Sequence, residues 1–168
     1  MSRAFVKEDG PDNAALPDLP ISPHPNYVTP RGLADLRARL SATLALLAKL
    51  KARAERLDLL PERAAERDIR FLEARLASAI LVTPIAAPTE VGFGTSVTVT
   101  DEDGKTTTYE ITGEDEADAR LCRIAPQSPL ARALMGVRIG DSVEWRRPTG
   151  TMQLEVIAIA PIPADPCP

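Results

Sequence analysis

The spacing of apolar residues predicts a long helix that begins near residue 29. Thr29-Pro30 is typical of a helix start, because it places a hydroxyl N-cap before a proline at the first helical position. Apolar side chains then recur at alternating intervals of three and four residues, which is a heptad seam: Leu33, Leu36, Leu40, Thr43 (its one polar member), Leu47, Leu50, Ala54 and Leu57. We expect this helix to end near residues 57–60, because Pro61 disfavours helix in the residue before it.

A second seam follows directly and ends before Pro84, with apolar positions at Ala65, Ile69, Leu72, Leu76 and Ala79. Two heptad helices joined by a short break pair antiparallel. The sequence therefore predicts an antiparallel two-helix coiled coil over residues 29–83, a finger roughly 30–40 Å long at 1.5 Å per residue. A hairpin packed flat onto a domain is the alternative, and the many charged side chains on both arms favour a projecting finger.

The period changes to two after a proline-containing linker at residues 84–90. Apolar positions alternate with polar ones on both sides of a turn at residues 101–104, and further strands are predicted at 142–147 and 152–160. Residues 128–136 predict a short helix, with a serine cap, proline at its first position and glycine at its end. The predicted fold class is α+β, with the finger followed by an antiparallel sheet of four or five strands and one short helix over residues 91–160.

The ends of the chain are rich in proline. Of 16 prolines, six fall in residues 1–30 and four in the last eight residues. We expect flexible tails at residues 1–28 and 161–168.

Composition excludes several kinds of chemistry. One His and two Cys nearly exclude a zinc site made by the protein alone, and His24, between two prolines, is the only imidazole base. The amino terminus is charged and no apolar run reaches membrane-spanning length, so we expect a cytoplasmic protein with no membrane association.

The net charge of −4 argues against nonspecific nucleic-acid binding by the whole chain, but it is unevenly distributed. Residues 31–80 carry 11 basic and 7 acidic side chains. Four basic residues near the predicted tip could lie beside RNA phosphates, and a solvated helix face is the equally weighted alternative: Lys49, Lys51, Arg53 and Arg56.

Four motifs in the second half resemble the globular domain of the Gre family of bacterial transcription elongation (transcript-cleavage) factors. They are VGFGTSVTV (91–99), YEITGEDEAD (109–118), SPLARALMG (128–136) and IGDSVE (139–144). The segments 27–33 and 67–76 resemble the family's helix start and second arm. The resemblance implies an FKBP-like domain that docks on the rim of the secondary channel of RNA polymerase, while the coiled coil enters the channel.

In the family, an acidic pair at the tip of the finger helps to hold a second Mg²⁺ at the polymerase active site, so that the polymerase itself cuts backtracked RNA. This chain departs from the usual tip motif, and its finger is shorter. Two alignments are possible: the preferred one leaves Asp58 at the apex with Glu62 nearby, and the other places Glu55 and Asp58 at the catalytic positions. Helix capping by Asp58 and a first-turn position for Glu62 are favoured over metal binding.

The resemblance also implies which residues face the polymerase. They lie in the loop that begins the short helix and in the acidic loop: Gln127, Ser128 and Pro129, supported by Glu114 and Asp115. Ser128 can serve as a plain N-cap at the same time.

The sequence thus predicts a monomeric regulator that binds RNA polymerase at its secondary channel, with weak or no stimulation of cleavage and no cofactor of its own beyond a shared Mg²⁺ at Asp58. The alternatives are an active cleavage factor with a rearranged tip, an Rnk-like regulator of the same architecture, and an FKBP-type prolyl isomerase. The last requires an aromatic pocket, for which Phe93, Tyr109 and Trp145 are the candidates.

Overall fold

The computed structural model describes residues 15–54 and 58–163, and its fold is a helix pair joined to a five-stranded sheet. In chain order, the elements of the helix pair are β1 (Tyr27–Val28), α1 (Pro30–Lys51), α2 (Leu60–Ala77) and β2 (Ile80–Leu81). The elements of the sheet domain are β3 (Thr95–Asp101), β4 (Thr106–Ile111), 3-10 turns at Glu114–Glu116 and Ala119–Leu121, β5 (Arg123–Ile124), α3 (Pro129–Leu134), β6 (Ser142–Arg147) and β7 (Gly150–Pro161). The predicted mixture of helices and a sheet is confirmed.

Helix α1 begins as predicted and ends earlier than predicted. The Thr29 side chain caps it by accepting a hydrogen bond from the Gly32 N–H, and Pro30 occupies its first turn. The helix stops at Lys51, so Ala54 lies outside it, and Leu57 lies outside the described residues. The reason lies in α2, which begins at Leu60 and accommodates Pro61 in its first turn, where no backbone N–H is needed. The break between the helices therefore lies before Pro61, and it includes the residues that were predicted to form the end of α1.

The two helices run in opposite directions. The Lys51 ammonium, at the end of α1, lies 2.7 Å from the Glu66 carboxylate near the start of α2. At the other end, Leu36 packs with Leu72 and with Val28 of β1 in one buried cluster. Leu33, Leu40, Phe71, Leu76 and Ala79 pack around that cluster. The two predicted seams thus meet at the base of the pair.

Strands β1 and β2 form a two-stranded parallel sheet that the sequence pattern did not predict. Tyr27 pairs with Ile80 and Val28 with Leu81, which ties the chain entering α1 to the chain leaving α2. Val28 is buried, so the flexible tail predicted for residues 1–28 is wrong at its last residues. Residues 1–14 lie outside the described part.

The large sheet has the strand order β5-β4-β3-β7-β6. All neighbouring pairs are antiparallel except the β4–β5 edge, which is parallel, so the expectation of a purely antiparallel sheet is wrong at that edge. The alternation predicted for β3 is observed, since Val97 and Val99 are fully buried between partly exposed neighbours. The core also contains Val91, Ile111, Leu130, Leu134, Leu154 and Val156.

The carboxyl-terminal end of β7 also belongs to the fold, although residues 161–168 are predicted to be a tail. Pro161 pairs with Thr95, and the buried Ile162 donates its backbone N–H to the Gly94 carbonyl at 3.0 Å. Residues 164–168 lie outside the described part. Among the described helices, none combines the length and the apolar character needed to cross a bilayer.

Candidate functional site

The loop before α3 is built around a capped helix start. The Ser128 hydroxyl accepts a hydrogen bond from the Ala131 N–H at 3.2 Å, and Pro129 opens the helix with its ring exposed. Leu130 and Leu134 point into the core and hold α3 against the sheet. The cap predicted from the sequence is confirmed, and it fixes the direction in which Gln127, Ser128 and Pro129 face. Their contact with a partner stays a prediction.

An apolar pocket of about 420 Å³ lies beside this loop. Ser128, Pro129 and Leu130 form one wall, and Tyr109 and Trp145 form another. The two aromatic rings meet edge to face, with centroids 6.4 Å apart. Phe93, the third candidate for an aromatic pocket, does not line it and instead contacts Tyr27, with centroids 5.8 Å apart.

Arg147 lines the pocket beside Trp145. The Arg147 guanidinium lies 5.2 Å from the Trp145 ring centroid, a cation–π arrangement. Within the described part of the chain, the buried Nε of Arg147 and the buried Oε1 of Gln127 have no hydrogen-bond partner.

Two ionisable groups near this face have displaced pKa values. Burial raises the pKa of the Tyr109 hydroxyl, and the neighbouring Cys122 thiol adds to the effect. Hydrogen bonds from the side chain and backbone of Arg120 lower the pKa of the Asp118 carboxyl. Tyr109 is therefore a neutral wall of the pocket at physiological pH, while Asp118 and Arg120 form a charged surface pair.

The acidic loop faces inward, toward α2. The Asp115 carboxylate lies 2.7 Å from Nε of Arg75, and the Glu114 carboxylate lies 3.5 Å from Nη2 of the same side chain. Arg75 is 2% exposed and also donates to the Asn26 side chain at 2.6 Å. These contacts give Glu114 and Asp115 a structural role, holding the helix pair against the sheet domain.

A second polar cluster at this junction was missed by the sequence analysis. The buried Glu116 carboxylate accepts hydrogen bonds from the Thr29 hydroxyl at 2.6 Å, the Thr29 N–H at 3.1 Å and the Gly113 N–H at 3.3 Å. Arg31 reaches Glu110 at 2.7 Å on the same side. The sequence feature that could have indicated this cluster is Gly32, because a glycine is unusual in the first turn of a helix. A larger side chain at this position would overlap Glu116.

The tip of the helix pair does not present paired carboxylates among its described residues. Leu59 is the N-cap of α2 and has no side-chain cap, so the predicted capping role of Asp58 is met only in part: Asp58, one residue earlier, accepts a hydrogen bond from the Leu60 N–H at 2.9 Å through its Oδ1. Glu62 is 4% exposed, and its carboxylate lies 3.6 Å from the Arg53 guanidinium. Glu55 lies outside the described residues. Over residues 15–54 and 58–163, no cluster of three or more His, Cys, Asp or Glu side chains could hold a metal ion.

These positions fit a shared Mg²⁺ poorly. A hard cation needs several accessible oxygen ligands. Glu62 is instead buried beside a guanidinium, and one Asp58 oxygen is used by the backbone.

Some of the basic residues near the tip already form ion pairs or hydrogen bonds with neighbouring residues. Lys51 pairs with Glu66, and Arg53 donates to the Leu50 and Asp58 carbonyls as well as lying beside Glu62. Lys49 is exposed, and Arg56 lies outside the described residues. Their proximity to nucleic acid stays a prediction.

Comparison with known proteins points to one family. A family described as "Transcription elongation factor, GreA/GreB, C-term" matches residues 86–161. The chain is 43% identical over 94 residues to the transcription elongation factor GreA of Thioalkalivibrio sulfidiphilus, covering 54% of this chain and 60% of that protein. It is 42% identical over 97 residues to GreA of Pseudomonas aeruginosa, covering 56% and 61%. The chain thus matches about three fifths of the length of these relatives.

Solved structures of related proteins superpose only loosely. The GreA factor homolog 1 (Gfh1) of Thermus thermophilus is 25% identical, with 81% of this chain and 99% of that chain covered and a TM-score of 0.39. A GreA/GreB factor from Nitrosomonas europaea is 20% identical, with 80% and 98% covered and a TM-score of 0.40.

Proposed function

We propose that this chain, whose residues 86–161 match the GreA/GreB C-terminal family, is a member of that family and a regulator of RNA polymerase that stimulates transcript cleavage weakly or not at all. In this proposal the sheet domain, FKBP-like in character, docks on the rim of the secondary channel. The helix pair, a coiled-coil finger, enters the channel, and the regulator acts as a cytoplasmic monomer.

The observation that carries the proposal is a contrast within one chain. The segment that we expect to dock begins α3, where Ser128 caps the helix beside an apolar pocket. At the tip, Glu62 is buried against Arg53 and one oxygen of Asp58 accepts a hydrogen bond from the Leu60 N–H, so neither carboxylate is arranged to bind a cation at the polymerase active site. In this proposal the chain docks through that segment, and the described tip residues are not arranged to supply a metal ligand.

The docking face has the chemistry of a protein interface. Tyr109 and Trp145 give the pocket two large aromatic walls, and Arg147 lies at its rim; aromatic and arginine side chains are the residues most enriched at binding hot spots. An apolar side chain of the partner would fill the pocket beside Tyr109 and Trp145. Glu114 and Asp115 are not part of this face in our proposal, because Arg75 engages both.

The size of the helix pair suits the proposed entry into the channel. The 22 residues of α1 correspond to a length of about 33 Å. Such an element can obstruct the path of nucleotides to the active site without any chemistry of its own.

The proposal is tested by adding a charge at the docking face. Pro129→Glu keeps the start of α3 intact, because an acid in the first turn is favoured by the helix dipole, and it puts a carboxylate at the mouth of the pocket. We expect binding to purified RNA polymerase to weaken by about tenfold or more. Ile85→Glu is the matched control, since Ile85 is 70% exposed and lies away from the pocket. Equal binding by both variants and the unmodified chain contradicts the proposed docking face.

A further inference from the structure

Strand β6 forms an open edge of the large sheet. In the strand order β5-β4-β3-β7-β6, β7 is the only strand of the described chain that pairs with it. Val143 and Trp145 pack against the core on the inner face of β6, where α3 also packs. The residues that alternate with them are exposed: Ser142, Glu144 and Arg146. An open edge of this kind can pair with a strand of another chain unless its side chains prevent it.

The hydrogen-bond register shows which backbone groups of β6 face outward. Arg147 pairs with Gly150 across a two-residue turn, and the Val156 N–H donates to the Asp141 carbonyl at 2.9 Å. In an antiparallel ladder, hydrogen-bonded residues alternate with residues whose N–H and C=O groups point away from the neighbouring strand. The odd-numbered residues of β6 therefore bond to β7. The even-numbered residues present both backbone groups to the open edge: Ser142, Glu144 and Arg146.

The charges on this edge are complementary to a second copy of the same edge. Glu144 and Arg146 are 3.1 Å apart, and their side chains remain 47% and 85% exposed. Such an exposed ion pair contributes little to stability, so both charges are available to a partner. Charges of one sign protect an edge from pairing, whereas one acid and one base match an antiparallel copy of themselves.

One register of the two edges satisfies both charges. When Glu144 lies opposite Arg146 of a second copy, two-fold symmetry places Arg146 opposite Glu144 of that copy, and Trp145 lies at the axis. The backbones of both residues face outward, so these two pairs exchange about four hydrogen bonds. The two Trp145 side chains then form a non-hydrogen-bonded pair on the inner face, where cross-strand side chains approach most closely. The charges and the backbone register thus select the same arrangement.

We propose that β6 is a self-association edge, through which two copies of this chain form a two-fold symmetric dimer with one continuous sheet. Glu144 of each copy pairs with Arg146 of the other, and these pairs fix the register of the strands. The contact is small compared with a standard protein interface, so the dimer is weak and its population depends on protein concentration.

Self-association involves the same face as the proposed docking. Trp145, Arg146 and Arg147 line the apolar pocket beside α3, and the second copy lies against the strand that carries them. The monomer is therefore the form that docks, and the dimer holds the chain away from its partner. Only this consequence rests on the proposed function, because the pairing of the edges does not involve polymerase.

The test measures self-association of the full chain without polymerase. Sedimentation velocity is recorded at chain concentrations up to about 1 mM, in about 50 mM salt to limit screening of the charges. Glu144→Arg and Arg146→Glu each convert both cross-strand pairs into like charges. Glu102→Arg is the matched control for the first variant, since it makes the same charge change at an exposed turn between β3 and β4.

We expect the unmodified chain and the control to form dimers, and each β6 variant to raise the dissociation constant about tenfold or more. An equal mixture of the two variants should recover the dimer, because the chain with Glu144→Arg presents two bases to the two acids of the chain with Arg146→Glu. No dimer of the unmodified chain at about 1 mM, equal weakening by the control, or no recovery in the mixture each overturns the proposal.

Competition with docking is measured separately by binding to purified RNA polymerase. Glu144 does not line the pocket, so Glu144→Arg frees the docking face without altering it. At a chain concentration equal to the dimer dissociation constant, half of the chains are paired, and we expect this variant to bind about twofold more polymerase than the unmodified chain. Equal binding contradicts the competition. Absence of polymerase binding by every chain contradicts the proposed function and leaves the dimer intact.

Discussion

The carboxylate of Glu116 occupies the space directly above Gly32, where any side chain on residue 32 would have to lie. The same carboxylate accepts a 2.6 Å hydrogen bond from Thr29, whose hydroxyl in turn caps α1 through the Gly32 N–H at 3.0 Å. The start of the first helix is thus fixed to the sheet domain by one buried acid. A missing side chain at position 32 makes that contact possible.

Gly32→Ala should destabilise the protein, because the added Cβ must displace Glu116 and break its contacts with Thr29. We expect the free energy of unfolding to fall by about 1–3 kcal/mol, the usual cost of forcing extra volume into a packed site. Urea denaturation measures the loss. Gly92→Ala is the control, since a Cβ there meets nothing within 4 Å. An equal loss in both variants contradicts a specific role for the Glu116 contact.

Arg75→Met should weaken the junction between the helix pair and the sheet domain. It leaves Asp115 without its 2.7 Å partner in a partly buried site, and we expect a loss of about 2–3 kcal/mol in the free energy of unfolding. Arg70→Met, on the same helix, removes a pair whose side chains are 41% and 75% exposed and should cost less than about 1 kcal/mol. If the two variants unfold at the same urea concentration, Arg75 does not hold the junction.

Tyr109 should make stability depend on alkaline pH. Burial raises its pKa above the ordinary value of 10.0, so the folded protein favours the neutral phenol. The stabilisation is fully present below the ordinary pKa and is lost as the pH rises through the raised value. We expect the urea midpoint of the unmodified chain to fall more steeply above about pH 10 than that of Tyr109→Phe. Tyr27→Phe, which retains Tyr109, should keep the steep fall, and parallel curves for all three proteins contradict the assignment.

Asp58 should stabilise the start of α2 by accepting a hydrogen bond from the Leu60 N–H, next to the N-cap Leu59. Asp58→Ala removes the acceptor for the Leu60 N–H and should cost about 0.5–1 kcal/mol, whereas Asp58→Asn retains an acceptor and should cost only a few tenths. Denaturation of the two variants separates capping from a role that needs the negative charge. A larger loss for Asn than for Ala contradicts the capping role.

The elements that have a repeated hydrophobic pattern or a helix-capping residue could be predicted from the sequence. The two seams contain Leu36 and Leu72, which pack together, the alternation placed Val97 and Val99 in the core, and Ser128-Pro129 marked the start of α3. Each depends on local chemistry or on a period that several residues share. Such patterns can be recognised in the sequence even when the rest of the structure is unknown.

The elements that were missed depend on contacts between distant parts of the chain. Strands β1 and β2 have two residues each, too few to show a period, and they form because the helix pair brings Tyr27 beside Ile80. Glu114 and Asp115 belong to an acidic run that is typical of solvent-exposed loops, and only folding places Arg75 against them. The early end of α1 has the same origin, since it follows from where α2 begins.

The central claim is that this chain docks on RNA polymerase without supplying a metal ligand for cleavage. The most direct measurement adds it to a stalled, backtracked elongation complex and follows both RNA length and nucleotide incorporation. We predict that the protein stays bound, that incorporation slows and that the RNA keeps its length. Rapid shortening of the RNA that is lost in Asp58→Ala contradicts the claim, as does the absence of any effect together with no co-purification with the polymerase.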